Sequence, residues 1–177
     1  EYVPPPGVAP LRFSLSHGDG VALCVVALGC GVGADVESLR NLGPDPLGAV
    51  GEVLSREEKH GIAAQPADGS AAALLALWTI KEAIGKASGL GLAFPLAKVS
   101  VKWPLGPAPA LEFDPALGEE ASSWSLGVCR PTANHVAAVA LHGPRVQDTR
   151  VAFEEHRLPS GTRVARSAFA LRTGEVS

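Results

Sequence analysis

Asp35 and Glu37, in the run Gly33-Ala34-Asp35-Val36-Glu37, carry acidic side chains two positions apart. In extended backbone, positions i and i+2 point to one face, so the two carboxylates project together. Such a pair repels unless a cation sits between its members. Oxygen-only ligands suit Mg²⁺, which takes one or two carboxylates and keeps its other positions for water and phosphate. The plainer reading is a pair of acids solvating the end of a strand. Further along, Glu82 and Lys86 lie one helical turn apart in Trp78-Thr79-Ile80-Lys81-Glu82-Ala83-Ile84-Gly85-Lys86. On an open surface they would be an ion pair worth about 0.3–0.5 kcal/mol. Residues 71–80 carry no charge, however, and a helix that apolar is buried on most sides. Its few charges then face a cleft rather than open water. Finally, Ser16-His17 stands at the start of a glycine turn, where His can donate to an anion and backbone can approach a phosphate. A solvated surface turn is the plain alternative there.

The elements that must position these residues are legible in outline. Residues 1–10 are Pro-rich and read as an extended lead-in. In LRFSLSH, residues 11–17, Leu11, Phe13 and Leu15 alternate with polar residues, the period of a half-buried strand. VALCVVAL, residues 21–28, predicts a second strand, antiparallel to the first across the HGDG turn. VGADVE, residues 32–37, predicts a strand end running into a loop. Ser55 and Glu58 form a capping box that opens a helix. QPADGS, residues 65–70, predicts a loop, and residues 71–88 predict the strongest helix of the chain, stopped by GLG at 89–91. VSVKW (99–103), ALEF (110–113), WSLGVC (124–129) and HVAAVAL (135–141) predict short strands between turns. From Gly143 the periodicity weakens except for RVARSAFALR at 163–172, which predicts a peripheral extension: a docked helix or strand, or a tail. The expected domain therefore spans 11–142. Its fold class is α+β, an antiparallel sheet of three to five strands packed against the long helix.

Composition excludes several classes. Hydrophobic residues make up 46% and charged residues 19%, which argues against a disordered chain. The net charge of −3 gives no basic excess for nucleic acid. Cys24, Cys30 and Cys129 are an odd number without a CxxC pair, as in reduced intracellular thiols rather than a disulfide framework or zinc site. The apolar stretch around Val21–Val36 is broken by glycines and too short to span a membrane. The start is neither basic nor continuously apolar, unlike a signal peptide. A soluble, cytoplasmic protein is expected.

The order SxSH, GxDxE, WxxKEAxxKxxGxGL, from about Leu11 to Leu141, closely resembles the signature of the 4′-phosphopantetheinyl transferase superfamily. The block order and the late WSLGVC and HVAAVAL strands are similar to its Sfp-type branch, in the C-terminal half. The resemblance implies Mg²⁺-dependent transfer of the phosphopantetheine arm of coenzyme A to a serine of an acyl or peptidyl carrier protein, releasing 3′,5′-ADP. It implies that Asp35, Glu37 and Glu82 hold the metal and that Glu82 is also the base for the carrier serine. Lys86 would neutralise phosphate charge, supported by Lys81, and Ser16 and His17 would contact the coenzyme A phosphates. The residue types suit that chemistry, since phosphoryl transfer needs charge neutralisation and in-line positioning above all.

Two departures stand out. Ser14 and Gly18 replace the Asn and Ser common in the first block. Sfp-type enzymes are pseudo-dimers of two similar halves, and the N-terminal half is mostly absent here. The chain is therefore expected to be a domain of a larger protein such as a polyketide synthase, a half that self-associates, or an inactive remnant. The competing functions are a non-catalytic module that binds carrier protein or coenzyme A, and a Mg²⁺-dependent phosphohydrolase.

Overall fold

In the computed structural model, residues 5–41, 43, 45–102, 109–144, 146, 150–155 and 165–170 are described. The Asp19-Gly20 dipeptide joins strand β1 (Leu11–Gly18) to β2 (Val21–Leu28) in an antiparallel hairpin. Both turn residues have positive φ, 45° and 81°, the backbone of the tight hairpin turn whose twist matches its strands. Strand β3 (Gly31–Ser38) follows and pairs along its whole length with β7 (His135–His142), from Gly31 opposite His142 to Ser38 opposite His135. The expectation of a strand end running into a loop at 32–37 is corrected: Asp35 and Glu37 lie inside a paired strand. Strand β6 (Trp124–Cys129) covers the other side of β7, so the central sheet has the order β3-β7-β6 and is antiparallel throughout.

Among the described residues three α-helices separate β3 from the later strands. Helix α1 (Pro46–Val50), unforeseen in the sequence, is capped by the Asp45 carboxylate. Helix α2 (Arg56–Ala63) opens with the expected capping box between Ser55 and Glu58. Helix α3 (Ala67–Ser88) starts four residues earlier than predicted. Pro66 caps it, its carbonyl accepting from the Gly69 and Ser70 amides, because proline is well suited to the start of a helix even though it breaks an interior. Strands β4 (Val99–Val101) and β5 (Leu111–Phe113) form a separate small pair. Trp103, expected to extend β4, lies outside the described residues. Beyond Gly143, β8 (Arg150–Glu155) and β9 (Ala165–Ala170) pair antiparallel, within the segment expected to be an extension. Residues 1–4 of the expected lead-in and 145, 147–149, 156–164 and 171–177 of the expected extension also lie outside the described residues. Among the described residues the strands thus form four sheets, of which the three-stranded one carries the architecture.

That sheet is covered on both faces. On one face α3 lies across β3 and β7, and Leu77, Ile80, Ala83 and Ile84 are sealed from solvent with Trp124, Leu126 and Ala138. Helix and strand approach so closely because β3 presents Gly33: a Cβ there would collide with the Ala83 carbonyl of α3. On the opposite face, Val32, Val139 and Leu141 pack with Leu23, Val25 and Ala27 of β2. The outer face of the hairpin is bare. Leu11, Phe13 and Leu15 on β1 and Val26 and Leu28 on β2 are all more than half exposed. No helix among the described residues is long and apolar enough to cross a membrane.

Candidate functional site

The site begins at the outer edge of β3. Being the first strand of its sheet, β3 has amides that β7 does not reach. Ser14 and Ser16 project from one face of β1 and supply the missing partners: Ala34 N–H donates to Ser14 Oγ at 2.9 Å and Val36 N–H to Ser16 Oγ at 3.3 Å. The Ser16 hydroxyl in turn donates to Asp35 Oδ1 at 2.8 Å. Lys86 Nζ reaches the same oxygen from α3 at 2.7 Å and also donates to the Ala34 carbonyl at 3.1 Å.

Trp78, Glu82 and Lys86 follow one another at i, i+4 spacing and share one face of α3. At one end of this row Trp78 Nε1 donates to Glu37 Oε1 at 3.3 Å; at the other, Lys86 holds Asp35. Glu82 sits between the two contacts. Burial pushes the Glu82 carboxyl above its ordinary pKa, and the Asp35 and Glu37 charges add to the rise, while Lys86 opposes it. Glu37 is raised in the same way, first by burial and then by Asp35, with Trp78 and Lys86 opposing. The three carboxylates therefore feel one another, as acids gathered at one site do.

Asp35 Oδ2 and Glu82 Oε1 are buried without a hydrogen-bond partner. Two such oxygens in a cleft rich in negative charge fit a hard cation. Among the described residues no group of three or more His, Cys, Asp or Glu is pre-arranged to cage a metal ion. Mg²⁺ needs no such cage, since it is usually held by one or two carboxylates together with water and substrate phosphates. Asp35 and Glu82 offer the two bare oxygens, and Glu37, tethered by Trp78, stands beside them.

The remaining predicted residues fall elsewhere. Lys81 does not reach the cleft, which corrects the expectation that it meets coenzyme A. It is fully buried; its ammonium pairs with Glu58 at 2.9 Å and donates to the Leu96 and Val99 carbonyls. Burial lowers its pKa, and Glu58 opposes the fall. The Ser16 hydroxyl is engaged by Asp35 and Val36 rather than facing outward. His17 alternates to the opposite face of β1 and is exposed. One contributor, Trp78, went unassigned in the sequence, as did two neighbours outside the acidic cluster: Ser14, which satisfies only the β3 backbone, and Glu58, which satisfies the buried Lys81. Ser14 repeats Ser16 two positions earlier, Trp78 precedes Glu82 by one helical turn, and Glu58 was read only as a helix cap. Each had a spacing signal, and a lysine in an apolar helix demands a buried partner such as Glu58.

A family model described as the 4′-phosphopantetheinyl transferase superfamily matches residues 31–140. That range holds β3, all of α3 and most of β7, the elements that bring Asp35, Glu37, Glu82 and Lys86 together. The chain is also 35% identical over 133 residues to the 4′-phosphopantetheinyl transferase HetI of Nostoc sp.; the match covers 75% of this chain and 52% of that protein. The chain thus spans about half the length of the curated relative it matches. With the match running across most of the chain and through its whole acidic cleft, this protein belongs to the 4′-phosphopantetheinyl transferase superfamily.

Proposed function

We propose that the chain transfers the 4′-phosphopantetheine arm of coenzyme A to a serine of an acyl or peptidyl carrier protein. A bond forms between the serine Oγ and the phosphorus carrying pantetheine, the phosphoanhydride bond breaks, and 3′,5′-ADP leaves. The observation that carries this reading is the pair of buried, partnerless oxygens, Asp35 Oδ2 and Glu82 Oε1, beside Glu37 and Lys86. Asp35 and Glu82, with Glu37 alongside, would hold Mg²⁺, which when bound neutralises pyrophosphate charge. Lys86 adds a second positive charge at the same place. Glu82 accepts the proton of the serine hydroxyl, directly or through a water.

The bare hairpin face of Leu11, Phe13, Leu15, Val26 and Leu28 supports a partner surface. We assign its cover to a second copy or to the remainder of a larger synthase; solution mass distinguishes them. Three free cysteines, Cys24, Cys30 and Cys129, accord with a cytoplasmic setting.

The test is to incubate the protein with coenzyme A, Mg²⁺ and an apo carrier protein, then weigh the carrier. A gain of one phosphopantetheine arm is expected, and Glu82→Gln should abolish it with the fold intact. A Glu82→Gln variant that retains its turnover overturns the base assignment. The exposed apolar hairpin face supports a second reading, a non-catalytic module for carrier protein or coenzyme A. Tight binding without mass gain would establish that reading, and nucleotide release without carrier modification would indicate a phosphohydrolase.

A further inference from the structure

Ser16 faces inward, and its bonding pattern has a direction. A hydroxyl has one proton to give. Ser16 Oγ accepts from the Val36 amide at 3.3 Å, so its lone pair is anchored on the β3 backbone and its proton goes to Asp35 Oδ1 at 2.8 Å. Lys86 takes up the same oxygen at 2.7 Å. Oδ1 is thereby saturated, and Oδ2 is left bare and buried. Lys86 alone is a poor clamp. Its long side chain is 30% exposed and is shared with the Ala34 carbonyl. Ser16 is short and fixed at both ends.

We propose that Ser16 is a positioning residue for the divalent cation: by holding Oδ1 it sets the plane of the Asp35 carboxylate so that Oδ2 is presented alongside Glu82 Oε1. The inference rests on the cation reading given above and deepens it, adding an indirect role for Ser16 to the expected coenzyme A contact. Partners that orient a metal-binding side chain are worth about 10–100-fold in metal affinity when removed.

Mn²⁺ titration of the 177-residue chain, followed by electron paramagnetic resonance, tests it without reference to turnover. Ser16→Ala should weaken Mn²⁺ binding about 10–100-fold. Ser16→Thr, which keeps the hydroxyl, should restore most of the affinity. Ser14→Ala supplies the structural control, because Ser14 also pairs with the β3 edge, at Ala34, but has no bond to Asp35. That variant should bind Mn²⁺ as the unaltered chain does. Equal weakening by Ser14→Ala and Ser16→Ala would reduce both serines to edge partners and overturn the proposal. So would undiminished Mn²⁺ affinity in Ser16→Ala, or weakened binding of coenzyme A alone. If the unaltered chain shows no Mn²⁺ binding that Glu82→Gln removes, the cation reading itself fails and the proposal with it.

Discussion

Replacing Lys81 by Met separates a structural from a catalytic reading of the WxxKE segment. The ammonium is fully buried and carries three interactions, to Glu58 and to the carbonyls of Leu96 and Val99. Glu58 is equally sealed and binds the amides of Ser55 and Val101. Removing the cation leaves a buried carboxylate charge with two amides for company and strips two carbonyls of their donor. Breaking one side of such a pair costs about 3–5 kcal/mol. Against a total of about 5–15 kcal/mol for a typical domain, that is a large share. At about 2–4 °C per kcal/mol for a chain of this size, the melting temperature should fall by about 6–20 °C. Adding Glu58→Gln, which removes the stranded charge but keeps an acceptor for the amides, should recover part of the loss. Thermal melts of the single and double variants, with coenzyme A binding measured below the transition, decide the matter. A Lys81→Met variant that melts like the unaltered protein but loses coenzyme A binding would refute the reasoning.

Two other outcomes are expected. Glu37 and Glu82 have pKa values raised above their ordinary 4.5, so the folded chain holds these protons more tightly than the unfolded chain. Their contribution to stability is complete below the unfolded pKa and is lost as pH rises through the folded values. A divalent cation binds the ionised carboxylates, so Mg²⁺ should raise the melting temperature more at about pH 8 than at about pH 5; equal shifts at both would refute the coupling. Gly33→Ala sets a methyl group against the Ala83 backbone and should cost about 1–3 kcal/mol by overpacking. It should also weaken Mn²⁺ binding by prising Glu82 from Asp35, whereas Gly51→Ala, with open space around it, should leave that affinity unchanged.

Much of this was legible in the residues. The β6 bounds agree with the predicted strand, and β7 runs one residue further, because turn-forming segments flank two short apolar runs. The Ser55–Glu58 cap is local chemistry and formed as read. The start of α3 was missed because Pro66 reads equally as a breaker and as an opener. Lys81 was misassigned by adjacency. Consecutive helical residues point about 100° apart, so Glu82 can face the cleft while its neighbour faces the core. The Ser16 partners went unread for a different reason: they are set by how β1 lies along β3, a tertiary fact that the run LRFSLSH does not show.

The serine hydroxyls along β3 have a consequence beyond the cleft. An uncovered strand margin is a template on which a foreign strand can add, the first step toward fibrous aggregates. Here the amides of Ala34 and Val36 are already spoken for by Ser14 and Ser16, and the Ala34 carbonyl by Lys86. Side chains that lie along this margin thus keep it from recruiting its neighbours into polymers.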